Sequence, residues 1–284
     1  MARFIAFWTN KGGVGKTTSA ANIGYYLSQV LKKRVLLIDA DRQGNLTMSF
    51  GLQDRIKNTL KGIFQGTVFN KVVIDVFSTL KFIGCNDTFR DIRRLFTEYN
   101  PELTLRKLVL EKLSGFDYVL FDCPPEISPL NDNILCCCGE VWSPLQTEYL
   151  ALEGVETVVN HLSTLNEHFG GFGVNVKLTV VIPTMYDGRS NLPKEVIRLA
   201  QSRYPINFTN PIRRSIKQGE APSHGETIFE YAPNSTTAKD YELAVASLDS
   251  NCFFDLAPNM LEEDMKDLEN LKKEMLKKNG VLYV

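Results

Sequence analysis

Residues 9–20 read TNKGGVGKTTSA, a glycine-rich turn between an apolar run and an amphipathic one. The usual phosphate-loop pattern, G-x-x-x-x-G-K-[ST], asks for a glycine five residues ahead of Gly15, and Asn10 stands there instead. Lys11 follows, directly before Gly12 and Gly13. The glycines that remain, Gly12, Gly13 and Gly15, let the backbone curl so that successive N–H groups face inward as an anion nest. A helix starting near Lys16 points its positive dipole end at the same spot. On this pattern Lys16 reaches the β- and γ-phosphates, the Thr17 hydroxyl ligates Mg²⁺, and Thr18 adds an α-phosphate contact.

Outward from the loop, the chain alternates two kinds of apolar pattern. RFIAFW (3–8) and RVLLID (34–39) are continuous apolar runs, as expected of strands buried on both faces. LKFIG (80–84), DYVLFD (117–122), EVWSPL (140–145) and VKLTVVI (176–182) continue the series. Between them, TTSAANIGYYLSQVLKK (17–33) carries Ile23, Leu27 and Leu31 four apart, the spacing of an amphipathic helix. DTFRDIRRLFTEY (87–99) and ALEGVETVVNHLSTLNEHF (151–169) are further helical stretches. The expected fold is therefore α/β, a mostly parallel twisted sheet with helices on both faces. We expect one domain over 1–250 and a helical extension over 251–284. Leu261, Met265, Leu268, Leu271 and Met275 make a narrow apolar seam there, suited to docking or pairing.

Composition excludes several classes. The chain is 284 residues long, 44% hydrophobic and 23% charged, as in ordinary globular proteins. No run approaches the ~18 apolar residues of a membrane span. The opening MARFIAFWTN has neither the apolar length nor the cleavage site of a secretory signal, so a cytoplasmic location is expected. Six cysteines without framework spacing fit a reducing compartment, and CCC at 136–138 reads as buried small hydrophobes rather than metal ligands. Net charge is -1, but it is unevenly spread. Residues 176–220 hold eight basic and three acidic side chains, and 221–284 hold six basic and twelve acidic ones. Such a basic segment is a candidate polyanion-binding face.

Two carboxylate-tipped strands accompany the loop. VLLIDADRQGN ends in Asp39 and Asp41, and YVLFDCPPEIS ends in Asp122. Ligands of open α/β sheets gather at the carboxyl ends of strands. Asp122 is thus a candidate Mg²⁺-side carboxylate, and Asp39 or Asp41 a candidate for positioning an attacking water.

At these residues a resemblance becomes visible. NKGGVGKTT, DADRQGN, FDYVLFDCPP, LQTEYLALEG, PTMYDGRSNL and EAPSHGETI occur in the order found in the ParA family of partition ATPases. This is a P-loop NTPase family of the deviant Walker A type, which also includes MinD and the nitrogenase iron protein. The resemblance runs from about residue 2 to 248 and leaves out the C-terminal stretch.

It implies ATP and Mg²⁺ as cofactors, with the nucleotide held by Lys11, Gly12, Gly13, Val14, Gly15, Lys16, Thr17 and Thr18. Lys11 matches the signature lysine that crosses an ATP-bound homodimer to the partner's phosphates. Asp41 matches the residue that orients the hydrolytic water, Asp39 a Mg²⁺-side carboxylate, and Asp122 the Walker B aspartate. Thr184, Met185, Pro211 and Ile212 fall near the adenine position, and Arg42 stands where the family commonly has proline. Arg189, Arg213, Arg214 and Lys217 match the region that contacts DNA without sequence preference.

The implied activity is slow ATP hydrolysis that drives plasmid or chromosome partitioning with a ParB-like adaptor, on the nucleoid. Positioning of a protein cargo, such as carboxysomes or chemoreceptor clusters, is the alternative. A MinD-like membrane ATPase is disfavoured because 260–278 lacks a basic, aromatic-bearing face. An iron–sulfur reductase is disfavoured because Cys123 has no suitably placed second cysteine.

Overall fold

The computed structural model describes residues 2–86, 101–109, 112–113, 115–148, 151–204 and 206–248. The expected helix at 87–99 and the C-terminal extension at 251–284 lie outside the described residues. In chain order the elements are β1 (Arg3–Phe7), α1 (Lys16–Tyr25), β2 (Val35–Asp39), α2 (Asn45–Ser49), α3 (Leu60–Phe64), β3 (Ile74–Phe77), β4 (Leu80–Ile83), α4 (Thr104–Val109) and β5 (Tyr118–Asp122). Then follow α5 (Pro129–Cys137), β6 (Glu140–Gln146), α6 (Ala151–Phe169), β7 (Lys177–Thr184), α7 (Leu192–Arg203), β8 (Asn207–Phe208), α8 (Ile216–Glu220), α9 (Ile228–Tyr231) and α10 (Thr236–Ala246).

The strands form one sheet in the order β3-β4-β2-β5-β1-β6-β7-β8. Every neighbouring pair is parallel except β3 with β4. The apolar runs are continuous because both faces are covered. Ile5, Phe7, Val35, Leu37 and Leu120 face one core, with Ile23 of α1, Leu27 just past its end and Tyr241 of α10. Their chain neighbours Ala6, Trp8, Leu36, Ile38, Val119 and Phe121 face the other, with Leu105, Ile134 and Val158. Strand geometry sends alternate side chains to opposite faces, so the interior positions of these strands are apolar and the polar residues Arg3, Asp39 and Asp122 stand at their ends. Each Leu, Ile or Phe so buried stabilises the fold by about 1.5–3 kcal/mol.

The long first helix expected at 17–33 divides. α1 is regular to Tyr25, and Tyr26–Val30 continues as a π-turn, with the Leu31 N–H donating to the Tyr26 carbonyl at 3.1 Å. The wider turn keeps Tyr26 and Leu27 in the core. Lys32, at φ 54°, then reverses the chain into β2. Two strands were not expected: β3 is a half-exposed edge strand, and β8 is only two residues long. Among the described residues Cys85, Cys123, Cys136, Cys137 and Cys138 are free and buried, and no cluster suited to hold a metal ion by His, Cys, Asp and Glu groups of three or more occurs.

The turn that follows α8, Ala221–His224, ends at Gly225, whose φ is 69°. A Cβ added there would lie 2.8 Å from the Gly51 Cα, just past the end of α2. Gly225→Ala therefore combines an unfavourable left-handed residue with a backbone clash, and is expected to cost roughly 2–4 kcal/mol. Urea denaturation checks this; Gly139→Ala, where the added Cβ meets nothing within 4 Å, is the near-neutral control.

Candidate active site

β1 delivers the chain to the carboxyl edge of the sheet and α1 takes it away, so Thr9–Gly15 is forced into a tight loop between them. Gly13 at φ 73° and Gly15 at φ 93° supply the left-handed turns that aim the loop amides inward. The loop is clasped from β7, where the Thr184 hydroxyl donates to the Val14 carbonyl at 2.8 Å. Thr184 therefore shapes the loop from behind, and the next residue, Met185 at φ 53°, reaches the cleft.

That cleft measures about 360 Å³ and is walled by Gly12, Gly13, Gly15, Lys16, Thr17 and Thr18. Asp41, Asn45, Met48 and Ser49 form the opposite wall, and Pro125, Met185 and Pro222 complete it. Such a volume is in the range of small-molecule pockets. Lys16 is buried and its Nζ donates to the Lys11 carbonyl at 2.7 Å, which pulls the ammonium across the loop. Burial lowers its pKa, while Asp122 and Asp41 work against that shift.

Behind the loop, Asp39 and Asp122 end adjacent strands and are partners in register. Both are fully buried. Asp39 has donors from its own chain: Oδ2 accepts from the Thr47 N–H at 2.8 Å and the Thr47 hydroxyl at 2.7 Å, and Oδ1 from the Asp41 N–H at 3.2 Å. Even so, burial pushes its pKa up to about 7. Among the described residues no hydrogen bond of ordinary geometry reaches either oxygen of Asp122. Burial and then the neighbouring Asp39 charge raise its pKa well above the carboxylate range, while the Thr17 hydroxyl and the Lys16 ammonium draw it down. A buried carboxylate with both oxygens unengaged, beside a threonine hydroxyl, is a donor set that fits a hard divalent cation or its waters. Asp39 fits that role less directly, since its oxygens already fix the start of α2. Asp41 is half-buried on the cleft wall, its Oδ1 accepting from the Gln43 N–H at 2.9 Å, and Arg42 beside it is exposed.

Lys11 is placed differently from Lys16. Its stem runs along Gly154 at the start of α6, where an added Cβ would sit 3.5 Å from the lysine Cδ and Cε. There it lines a smaller hollow with Thr9, Gln146 and Glu148, outside the walls of the phosphate cleft.

The other expected residues fall into separate groups. Ile212 is a core residue, its N–H bonded to the Pro183 carbonyl, and with Pro211 it does not line the cleft. Tyr186 bridges to Arg213, which lays 185–189 beside 211–214. Arg213 does not offer a free guanidinium: it clasps the buried Asp240, with the closest approach at 2.6 Å. Arg189 is exposed and pairs with Asp187 at 2.7 Å. Arg214 and Lys217 are exposed, and among the described residues neither has an ion-pair partner.

Sequence reading missed Thr47, Asn45, Met48 and Ser49. The signal available was the DADRQGN turn, whose Gly44 at φ 66° starts α2 at the cleft. Pro222 was missed as well; it sits in the EAPSHGETI stretch, which gave no chemical reason to place it at a phosphate.

A family model described as an AAA domain matches residues 2–180. The chromosome-partitioning ATPase Soj of Thermus thermophilus is 37% identical over 242 residues, covering 84% of this chain and 92% of the relative. Cobyrinic acid a,c-diamide synthase of Mycobacterium smegmatis, solved with a bound ATP analogue and magnesium, superposes with a TM-score of 0.68 at 27% identity, over 84% of this chain and 98% of that one. Apo McdA of Cyanothece shares the fold at a TM-score of 0.75 and 20% identity, over 88% of this chain and all (100%) of that one.

The buried carboxylate pair sets a pH dependence. Both folded-state pKa values are raised, so the native state keeps protons that the unfolded chain has released. Stability contributed by the protonated pair is complete below pH 3.8 and is lost as pH rises toward about 7. Asp122→Asn removes the repulsion, and the cation-free protein should gain about 1–2 kcal/mol, or roughly 2–4 °C in Tm for each kcal/mol. The gain should be larger at pH 8 than at pH 5.5 in calorimetry without nucleotide or Mg²⁺.

Proposed function

The chain belongs to the ParA/Soj-type partition ATPases, and from that premise we propose that it dimerises around ATP, binds DNA without sequence preference, and hydrolyses ATP to release it. The observation that carries this reading is the direction of Lys11. A lysine inside a phosphate loop serves its own cleft only if it turns inward, and this one lies outward along Gly154. A second copy facing the loop is what gives such a lysine a phosphate to reach.

In this scheme the loop amides and Lys16 hold the β- and γ-phosphates in a site whose low dielectric strengthens each contact. Thr17 and Asp122 hold Mg²⁺, which screens the phosphate charge when bound. Asp39 orients the turn that presents Asp41, and Asp41 positions the water. The partner's Lys11 then stabilises charge on the departing phosphate, as an arginine finger does in other switch NTPases. Turnover is slow until a ParB-like adaptor improves the placement of these groups. Arg189, Arg214 and Lys217 contact duplex phosphates, and dimerisation doubles those contacts. No helix among the described residues is long and apolar enough to cross a membrane.

Two measurements test the reading. Lys11→Ala is expected to bind ATP within a few-fold of the unaltered chain and to lose at least ~10³-fold in hydrolysis. Mixing it with inactive Asp41→Ala should restore hydrolysis, because the mixed dimer contains one site with its own Asp41 and the partner's Lys11. No recovery on mixing removes the trans role. Separately, Arg189→Glu with Lys217→Glu should weaken ATP-dependent binding to random duplex DNA at least ~10-fold. Its log–log salt dependence should also flatten, by about one unit of slope for each phosphate the variant no longer neutralises. Unchanged binding removes this DNA face.

A further inference from the structure

The segment from Ser215 to Gly225 belongs to two surfaces at once. On its inner side Pro222 lines the phosphate cleft, and Gly225 packs its backbone against Gly51 at the end of α2. On its outer side Lys217 faces solvent, and Ile216 is 81% exposed. Between the two sides a buried amide ties it to the phosphate-loop helix. Asn22, one turn beyond Thr18 on α1, is 1% exposed. Its Nδ2 donates to the Thr18 carbonyl at 2.8 Å and to Gln218 Oε1 at 3.0 Å, and its Oδ1 accepts from the Ile228 N–H at 2.9 Å.

We propose that Asn22 and Gln218 are positioning residues that couple filling of the phosphate cleft to the exposed basic stretch Arg214–Lys217. This coupling rests on the DNA-binding reading above and adds its mechanical link. Asn22 spends both amide hydrogens, on Thr18 and Gln218, while its oxygen accepts from Ile228, so it has no spare donor with which to accommodate a shift of one element against another. A shift of the Thr17–Thr18 turn that broke its bond to Gln218 would leave buried polar groups unpartnered, which is costly. The lower-cost response is for α8 to follow α1. Pro222 and the Gly51–Gly225 contact hold the far end of the same segment to the cleft, so it moves with the cleft wall rather than with the surface. Its ligand on the outer face is the phosphate backbone of a nucleic acid duplex.

The experiment compares affinity for a random duplex in ATP and in ADP, with dimerisation followed by light scattering and nucleotide affinity by a fluorescent ATP analogue. Gln218 is half-buried, so Gln218→Met removes the acceptor while keeping the shape. It is expected to bind nucleotide within twofold of the unaltered chain, to dimerise equally, and to compress the ATP-to-ADP ratio of DNA affinities at least ~5-fold. Asn22→Ser, which removes that bond together with those to Thr18 and Ile228, should compress it at least as far. Lys217→Ala, by contrast, should lower DNA affinity by a similar factor in both nucleotide states and leave the ratio intact. A full ratio in Gln218→Met, an equal loss in both states, or a loss explained by fewer dimers overturns the coupling. Unaltered protein that binds no duplex in either state removes the DNA reading itself, and the coupling with it.

Discussion

A buried carboxylate to which no described residue makes a hydrogen bond of ordinary geometry is the constraint on which the site turns. Asp122 is brought to the end of β5 by a strand with no alternative register, since Tyr118–Asp122 is paired on both sides. There it is buried, beside Asp39, with neither oxygen hydrogen-bonded in ordinary geometry among the described residues. Two adjacent buried carboxylates cannot both ionise without a compensating cation. Lys16 supplies part of that charge but spends a donor on the Lys11 carbonyl. Burial and mutual repulsion therefore favour the protonated form of the pair, and a bound cation would relieve that cost. A nucleotide carrying its metal provides one, which is why binding and the arrangement of the loop belong to the same event.

The two lysines of the loop divide the work by geometry. Lys16 starts α1 and is buried on the wall of its own cleft. Lys11 sits before the glycines, where the backbone still follows the direction of β1, and its stem runs to α6 instead. Their spacing in sequence is short, yet the loop reverses the chain between them. That reversal requires Gly13 and Gly15 at positive φ, which explains why the glycine absent at residue 10 does no harm to the nest.

Much of this architecture was legible from residues alone, for a specific reason. β1, β2, β4, β5, β6 and β7 are covered on both faces or nearly so, and their continuous apolar runs announce that burial. β3 reads IDVF with an exposed Asp75 at the edge, and β8 has two residues, so neither carries enough apolar pattern to be seen. The π-turn was invisible because i→i+5 bonding leaves the apolar spacing of Ile23, Leu27 and Leu31 intact. Lys16, Thr17 and Asp41 were placed by motif and do line the cleft. The donors to Asp39 were not legible, since the Thr47 contact depends on how Gly44 turns α2 back over β2.

Charge counting shows the same limit and leads to a sharper location. The basic excess between residues 176 and 220 treats all arginines alike, but the fold does not. Arg213 is used inside the molecule on Asp240, Arg203 meets Glu156 at 3.1 Å, and Arg189 shares Asp187 with the field of Arg214. An ion pair that is already satisfied gives up part of its attraction before it can meet a phosphate, whereas an uncommitted cation gives up only water. Arg214 and Lys217 are uncommitted in this sense among the described residues, as are the exposed Lys177, Lys194 and Arg198; of the five, Lys217 lies within Ser215–Gly225, the segment whose inner side reaches the cleft, and Arg214 directly precedes it. Part of the available positive charge thus lies on the stretch of surface that backs onto the cleft through Pro222. If that charge meets a duplex, as proposed above, its place on a segment that also reaches the cleft is what ties duplex affinity to nucleotide state.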